Sequence, residues 1–258
     1  MALQRCEGVV LRTYPLGDTS RIVVAYTREM GVVRMVAKGA RAAPSRFGFA
    51  LQPLSRSRFV IYHKPDRDLQ LVSQADTVTA WGSDLAELER LAHAQAAAEL
   101  IDRLVWGEEP QQELFDLLVL ALEAVVAAPP RALAAVTLAF ELQVASLLGH
   151  RPRLEACSCG KALSPRRLFS PARGGMLCDA CAPSEAGTII LSADALAGLS
   201  LLLSRPVAEA GEYLELPRAG EIQKVVEAFL RQHFQKFDRL RSLDVLRAFG
   251  APASPSPA

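Results

Sequence analysis

Ser20-Arg-Ile-Val-Val-Ala-Tyr-Thr-Arg-Glu-Met-Gly-Val-Val-Arg-Met-Val-Ala37 reads as two β-strands and the tight connection between them. Apolar and β-branched residues fill 20–26 and 32–37, and Thr27–Gly31 is a hairpin with glycine at its tight position. Three more strands surround this pair. Residues 7–13 precede it across the turn Pro15-Leu-Gly-Asp18. Residues 57–63 and 69–75 follow it, joined across Lys64-Pro-Asp-Arg-Asp68. Five short strands in about 75 residues fit a small Greek-key barrel of the OB type, which takes oligonucleotides on one face and between its loops.

The same region is basic. Between Met30 and Pro65 there is no acidic residue, while Arg34, Lys38, Arg41, Arg46, Arg56, Arg58 and Lys64 all fall there. A folded array of cations gains affinity for polyanions by displacing condensed counterions, so phosphate backbone is the expected partner. Arg34, Lys38, Arg41 and Arg46 are the expected phosphate contacts. Arg56 and Arg58 are the alternates on the next strand, on one face by strand alternation. Tyr14, Tyr26, Phe47 and Phe49 can stack bases or pack the core; the second is the commoner fate in a small barrel. The whole-chain charge of +1 conceals an asymmetry. Residues 1–80 hold 12 basic and 6 acidic residues, 81–150 hold 3 and 11, and 151–258 hold 14 and 11. The acidic middle suggests a separate module with a protein partner.

After Trp81 the period becomes helical. Ser83 or Asp84 is placed to cap a first helix, with Leu85, Leu88, Leu91, Ile101 and Leu104 as its buried stripe. Leu114, Leu117, Leu118, Ala121 and Val125 mark a second. Pro129-Pro130 ends it and starts a third, Arg131 to Leu148, with Gly149 at the C-cap. Helical pattern returns at 192–204, 219–237 and 242–249. The expected organisation is α+β: an OB domain over 1–80, a helical domain over 81–250 with a cysteine insertion at 155–185, and a disordered tail at 251–258.

That insertion carries Cys157-Ser-Cys159, 18 intervening residues, then Cys178-Asp-Ala-Cys181. Two close pairs at this separation are the layout of a structural four-cysteine zinc site, because four thiolates must converge tetrahedrally from two tight turns. The one-residue spacer of the first pair narrows the backbone geometry without forbidding chelation, so free thiols stay open beside one Zn2+ per chain. Cys6 stands alone on the first strand and reads as a small buried hydrophobe.

The rest of the chain narrows the classes. Carboxylate clusters for metal, a phosphate-cradling glycine loop, a deaminase His-x-Glu and a nucleophile elbow are all missing from the sequence, so no enzyme is expected. The densest apolar run, Leu114 to Ala128, contains Asp116 and Glu123 and reads as a buried helix and not a membrane span. The first residues show no signal-peptide core. The expected location is cytoplasmic and nucleoid-associated. Two alternatives remain: an RNA-binding OB protein, and a nucleic-acid-processing enzyme without a recognisable motif.

The order of barrel, helices and knuckle resembles the bacterial recombination mediator RecO family. Glu7-Gly-Val-Val-Leu-Arg12 resembles its opening strand, and Pro15-Leu-Gly-Asp18 with Arg21-Ile-Val its first turn and second strand. Thr27-Arg-Glu-Met-Gly31, Lys38-Gly-Ala-Arg41, Leu51-Gln-Pro-Leu54 and the closing Arg241-Ser-Leu-Asp-Val-Leu246 follow in the family's order. The departure is Cys-x-Cys where zinc-bearing members have Cys-x-x-Cys. The resemblance implies binding of single- and double-stranded DNA, strand annealing in DNA repair, and no catalytic centre. It implies partnership with RecR and with single-strand-binding protein (SSB), and help in loading RecA onto SSB-coated strands. The acidic SSB tail needs a basic or apolar groove, expected near Arg131, Arg151 and Arg153.

Overall fold

The computed structural model describes residues 2–212 and 216–250, with side chains through 246. The expected tail at 251–258 lies outside the described residues. Two compact units divide at Val119/Leu120.

The first unit contains a closed five-stranded barrel. Its strands are β1 (Ala2–Leu16), β2 (Ser20–Thr27), β3 (Gly31–Ala37), β4 (Arg56–His63) and β5 (Gln70–Thr79), hydrogen-bonded in the order β1-β2-β3-β5-β4. β1 is longer than the 7–13 expected because it serves two partners. Residues 2–9 pair with β4 and 8–16 with β2, and a bulge between Val10 and Arg12 lets the strand turn from one to the other. A short parallel contact, Met35 with Gln70 and Val36 with Leu71, joins β3 to β5 and closes the sheet. This is the OB connectivity the strand spacing predicts.

Alternation sorts the strands. Val23, Ala25, Val33, Met35, Phe59, Ile61 and Val72 point into the barrel and are buried. The stretch 38–55, of which residues 38–52 read from their Gly, Pro and Ser content as a long basic loop, is built of turns that return Phe47, Ala50 and Leu51 to that core. Backbone bonds from Leu54 to Val10 O and from Val10 to Ser55 O tie its end to β1 at the bulge. β2 departs from simple alternation, since Val24 and Tyr26 on its outer face are buried too. Helical residues of the same unit account for this. The Tyr26 hydroxyl donates to Gln111 O at 3.2 Å, and its ring lies 6.4 Å from that of Phe115.

Helix α1 (Leu88–Leu104) starts later than Ser83 or Asp84 would place it, because residues 82–85 form a turn closed by Leu85 N–H to Trp81 O. Ala92, Ala94, Ala96, Ala97 and Ala98 give α1 high helix propensity and a low, closely packing surface. Helix α2 (Gln112–Ala127) runs from the first unit into the second.

The second unit is organised on α3 (Leu133–Leu147), which is buried around nearly its whole circumference. Helices α4 (Ala193–Ser204) and α5 (Ala219–His233) pack on it, and α6 (Arg241–Gly250) follows. α5 stops at His233, short of the expected 237. Ser192 caps α4 by accepting from Ala195 N–H, and Glu221 holds Ser192 through its N–H and hydroxyl at 2.6 and 2.9 Å. Between α3 and α4 lies a three-stranded sheet of β6 (Leu168–Ser170), β7 (Gly175–Met176) and β8 (Ile189–Ile190), in the order β7-β6-β8. It is anchored to α5 by Phe169 against Phe229 and by the His233 ring, whose Nε2 is 2.9 Å from Pro171 O. No helix among the described residues is long and apolar enough to cross a membrane.

Candidate nucleic-acid interface and metal centre

The six cations singled out in the barrel do not form one patch. Lys38 and Arg41 follow the end of β3, and Arg41 reaches the β1–β2 turn. Arg41 N–H donates to Thr19 O and its Nη1 to Gly17 O, both at 2.9 Å. Lys38 is exposed and follows Ala37, the last residue of β3, which pairs with Arg21. Arg21 belongs to the same edge, paired with Pro15 on one side and Ala37 on the other. The acid-free window begins at Met30, so Arg21 falls outside it; only the strand register brings it here. Further along, the Arg46 guanidinium sits 4.6 Å above the Phe47 ring. Phe47 is a core residue, whereas Phe49 is 73% exposed. Of the four candidate stacking aromatics, Tyr26 and Phe47 are therefore packed, and Tyr14 and Phe49 face solvent.

The other three cations meet acids that the chain order hides. Arg34 shares the outer face with Arg12 across Val24. Asp102 of α1 lies 3.1 Å from Arg12 Nε. Burial raises the Asp102 pKa, and Arg12, Arg34 and Arg103 pull it back. Arg56 and Arg58 flank Glu7 of β1. Arg56 Nη2 is 2.5 Å from its Oε1, and Arg58 Nε is 3.5 Å from its Oε2. Arg58 also stands opposite Asp76 on β5. The acidic middle of the sequence is partly spent in the same way within the first unit. Asp102 faces Arg12, Asp116 pairs with Arg28, and Glu108 lies 3.4 Å from His63.

The cysteines do converge. The sulfurs of Cys157, Cys159, Cys178 and Cys181 all lie within 4.8 Å of one another. Cys159 Sγ is 3.5 Å from both Cys157 Sγ and Cys178 Sγ. Four thiolates set tetrahedrally about a zinc ion at ~2.3 Å would stand ~3.8 Å apart, so the cluster has the dimensions of that shell. Each pair sits on a tight turn: Gly160, at φ +78°, donates to Cys157 O, and Cys181 and Ala182 donate to Cys178 O. Behind the sulfurs, Leu168 and Leu177 pack with Cys157 and Cys178, and Leu163 closes the side.

The electrostatics of the cluster favour a cation. Backbone N–H groups of Cys159 and Cys178 lower the Cys157 thiol to about 6. Cys178 is raised by burial but lowered further by the Cys181 N–H and neighbouring thiols, for a net depression. Cys181 is pushed up to about 12 by hydrogen bonding with Cys159, Cys178 and Cys157. Backbone N–H groups thus lower two of the thiols, and four converging sulfurs are a donor set that would fit a thiophilic divalent ion.

Beside the knuckle is a cleft of about 570 Å³, lined by Arg151, Arg153, Cys157, Gly160, Ser200 and Leu203 among others. Arg151 Nη2 donates to Leu203 O at 3.3 Å and Arg153 Nη2 to Arg173 O at 3.1 Å. Arg131, grouped with these two on sequence alone, is not among the residues lining it.

Comparison with known proteins agrees with the architecture. Residues 1–81 match the family model described as Recombination protein O N terminal, and 85–244 match Recombination protein O C terminal. A protein of Anaeromyxobacter dehalogenans is 40% identical over 233 residues, 89% of this chain and 91% of its own. Proteins of Pelotomaculum thermopropionicum and Symbiobacterium thermophilum are each 35% identical over 257 and 256 residues, covering 98% and 96% of this chain and 97% and 99% of theirs. All three carry the name DNA repair protein RecO. With both halves matched in order and such relatives aligned along nearly its full length, the chain belongs to the RecO family.

Proposed function

We propose that this chain is a DNA-binding recombination mediator of DNA repair, acting in the RecF pathway without a catalytic centre of its own. Its work is to anneal complementary strands and, with RecR, to help load RecA onto SSB-coated single strands. The observation that carries the reading is the barrel edge where Arg21, Lys38 and Arg41 meet the β1–β2 turn. That turn is one of the loops through which OB barrels hold oligonucleotides. Cations held there contact successive phosphates of either single- or double-stranded DNA, and Arg46 and Phe49 extend the path along the 38–55 segment. By screening repulsion between two complementary strands, such a surface speeds their pairing without ATP. Arg34, Arg56 and Arg58 contribute less, because Asp102 and Glu7 already draw on their charge.

The domain scheme we propose is DNA binding over 1–80, partner docking over 81–250, and one structural Zn2+ held at 155–185 by Cys157, Cys159, Cys178 and Cys181. The ion offsets two of the four thiolate charges and locks two turns together. A closed four-thiolate shell leaves no open position for water, so the site is structural and not catalytic. The cleft beside Arg151 and Arg153 suits the acidic C-terminal tail of SSB, with guanidinium groups for carboxylates and Leu203 for an apolar residue. A mediator of this kind works in the cytoplasm, at the nucleoid.

The test is annealing of complementary oligonucleotides, bare and SSB-coated, without nucleotide. Acceleration that fades as salt rises is expected. Nuclease, ligase or ATPase activity that persists through purification would overturn the non-enzymatic reading, and a strong preference for RNA would favour a role in translation.

A further inference from the structure

The four cysteines differ in what can reach them. Cys157 and Cys178 are buried and Cys181 is intermediate, but Cys159 is exposed. Its sulfur has two neighbours at 3.5 Å, Cys157 Sγ and Cys178 Sγ. An accessible thiolate beside a second thiolate is the arrangement that oxidants convert to a disulfide. At 3.5 Å the two sulfurs stand within about 1.5 Å of the ~2.05 Å of a sulfur–sulfur bond. The same knuckle is a wall of the neighbouring cleft, since Cys157, Ser158 and Gly160 line it together with Arg151 and Ser200. Metal occupancy and cleft shape are therefore joined through one short turn.

Resting on the reading of the cluster as a zinc site, we propose that Cys159 makes it a peroxide-sensitive switch: oxidation of Cys159 to a disulfide with Cys178 expels the metal and dismantles the knuckle wall of the cleft. The chemistry balances with a hydroperoxide as oxidant. The Cys159 thiolate attacks one peroxide oxygen, the O–O bond breaks, hydroxide leaves, and Cys159 becomes a sulfenic acid. The Cys178 thiolate then attacks the Cys159 sulfur and displaces a second hydroxide as the disulfide forms. Two thiolates lose two electrons, hydrogen peroxide gains them, and two protons from solvent complete two waters. Cys178 is the resolving partner in preference to Cys157, because a bridge between residues separated by one position closes a small, strained ring. Cys157 and Cys181 remain, one on each turn, and two thiolates do not make the closed shell that held the ion. Cys6 lies in the barrel core at 3% exposure and takes no part.

The experiment uses the purified full chain in thiol-free buffer, assayed for zinc, then treated with hydrogen peroxide. Released zinc is followed with a chelating dye, disulfides are mapped by mass spectrometry, and amide exchange is read at 154–160 and 200–204. The expected result is about one zinc per chain beforehand. Peroxide should release it in step with a Cys159–Cys178 disulfide and with faster exchange in both segments. Dithiothreitol with added zinc should reverse all three changes. Cys6→Ser protein should behave identically. Protein that carries no zinc before treatment would overturn the metal reading and the switch together. Zinc retained after oxidation, zinc released with Cys159 only as a sulfinic acid, or release abolished by Cys6→Ser would overturn the switch and leave the metal reading standing.

Discussion

The knuckle gathers its like side chains, and the barrel scatters them. Four thiols from two distant turns end within 4.8 Å of one another. Cations from one acid-free window end on different faces, some against Glu7 and near Asp102, others along the β1–β2 turn. The contrast follows from the range of the forces. Metal–thiolate bonds are short and directional, so the positions of their ligands must be fixed by local turns, and local turns leave a spacing in the sequence. Charge–charge attraction is long-ranged and indifferent to chain order. Whichever acid the fold brings near will take the cation.

The largest effect is expected at the knuckle. Cys178→Ser should reduce zinc from about one per chain to near zero and expose 155–185 to proteolysis, while DNA affinity of the barrel changes little. Zinc that persists would show that Cys178 is not one of its ligands, and wild-type protein without zinc would show that the sulfurs converge for packing alone. The reverse experiment is Phe59→Ala in the barrel core. Loss of a fully buried phenylalanine should cost about 3–5 kcal/mol, seen in denaturant melts, and weaken DNA binding with zinc content intact. Equal loss of zinc would mean that the two regions are not independent.

A third kind of charge is governed by burial and not by pairing. Glu141 on α3 is 3% exposed, and burial, then repulsion from Glu227, pushes its carboxyl up to about 8. The folded chain thus holds a proton that the unfolded chain releases near its ordinary value of 4.5. The contribution is complete below that value and is lost as pH rises toward about 8. Stability should fall over this window by a few kcal/mol, and Glu141→Gln should flatten the fall. An unaltered pH profile would show that Glu141 is charged in the fold. The smallest effect is expected from Arg56→Ala. Its pair with Glu7 is only partly buried, at 23% and 17% side-chain exposure, so the cost should be about 1 kcal/mol in thermal melts.

Much of the fold is legible in the chain. Alternation between apolar and polar residues marks β3 and β4 to within a residue, and the glycine and proline turns separate all five strands. Less legible is the segment 38–55, whose Gly, Pro and Ser content says loop while Phe47, Ala50 and Leu51 close the core. Three apolar residues without period carry no signal of burial until a barrel end is there to receive them. The first helix starts later than its best capping residues, because the Trp81–Leu85 turn claims that stretch first. At the candidate interface, Lys38 and Arg41 stand out from composition, but Arg21 needs the β2–β3 register to be recognised. The pairing of Arg56 and Arg58 with Glu7 is a property of β1 lying beside β4, across 49 and 51 residues of chain.

Whether the β1–β2 turn edge, and not the β4 face, carries the DNA is tested most directly by salt dependence. Binding of a labelled single-stranded oligonucleotide should be titrated across a range of salt for wild type, Lys38→Ala/Arg41→Ala and Arg56→Ala/Arg58→Ala. Removing one cation that neutralises a phosphate of a single strand lowers the slope of log K against log salt by about 0.7. The first double variant should therefore bind more weakly with a slope smaller by about 1.4, and the second should keep nearly the wild-type slope. The opposite ranking, with the slope reduced at Arg56 and Arg58 and retained at Lys38 and Arg41, would put the DNA on the β4 face and contradict the assignment to the turn edge.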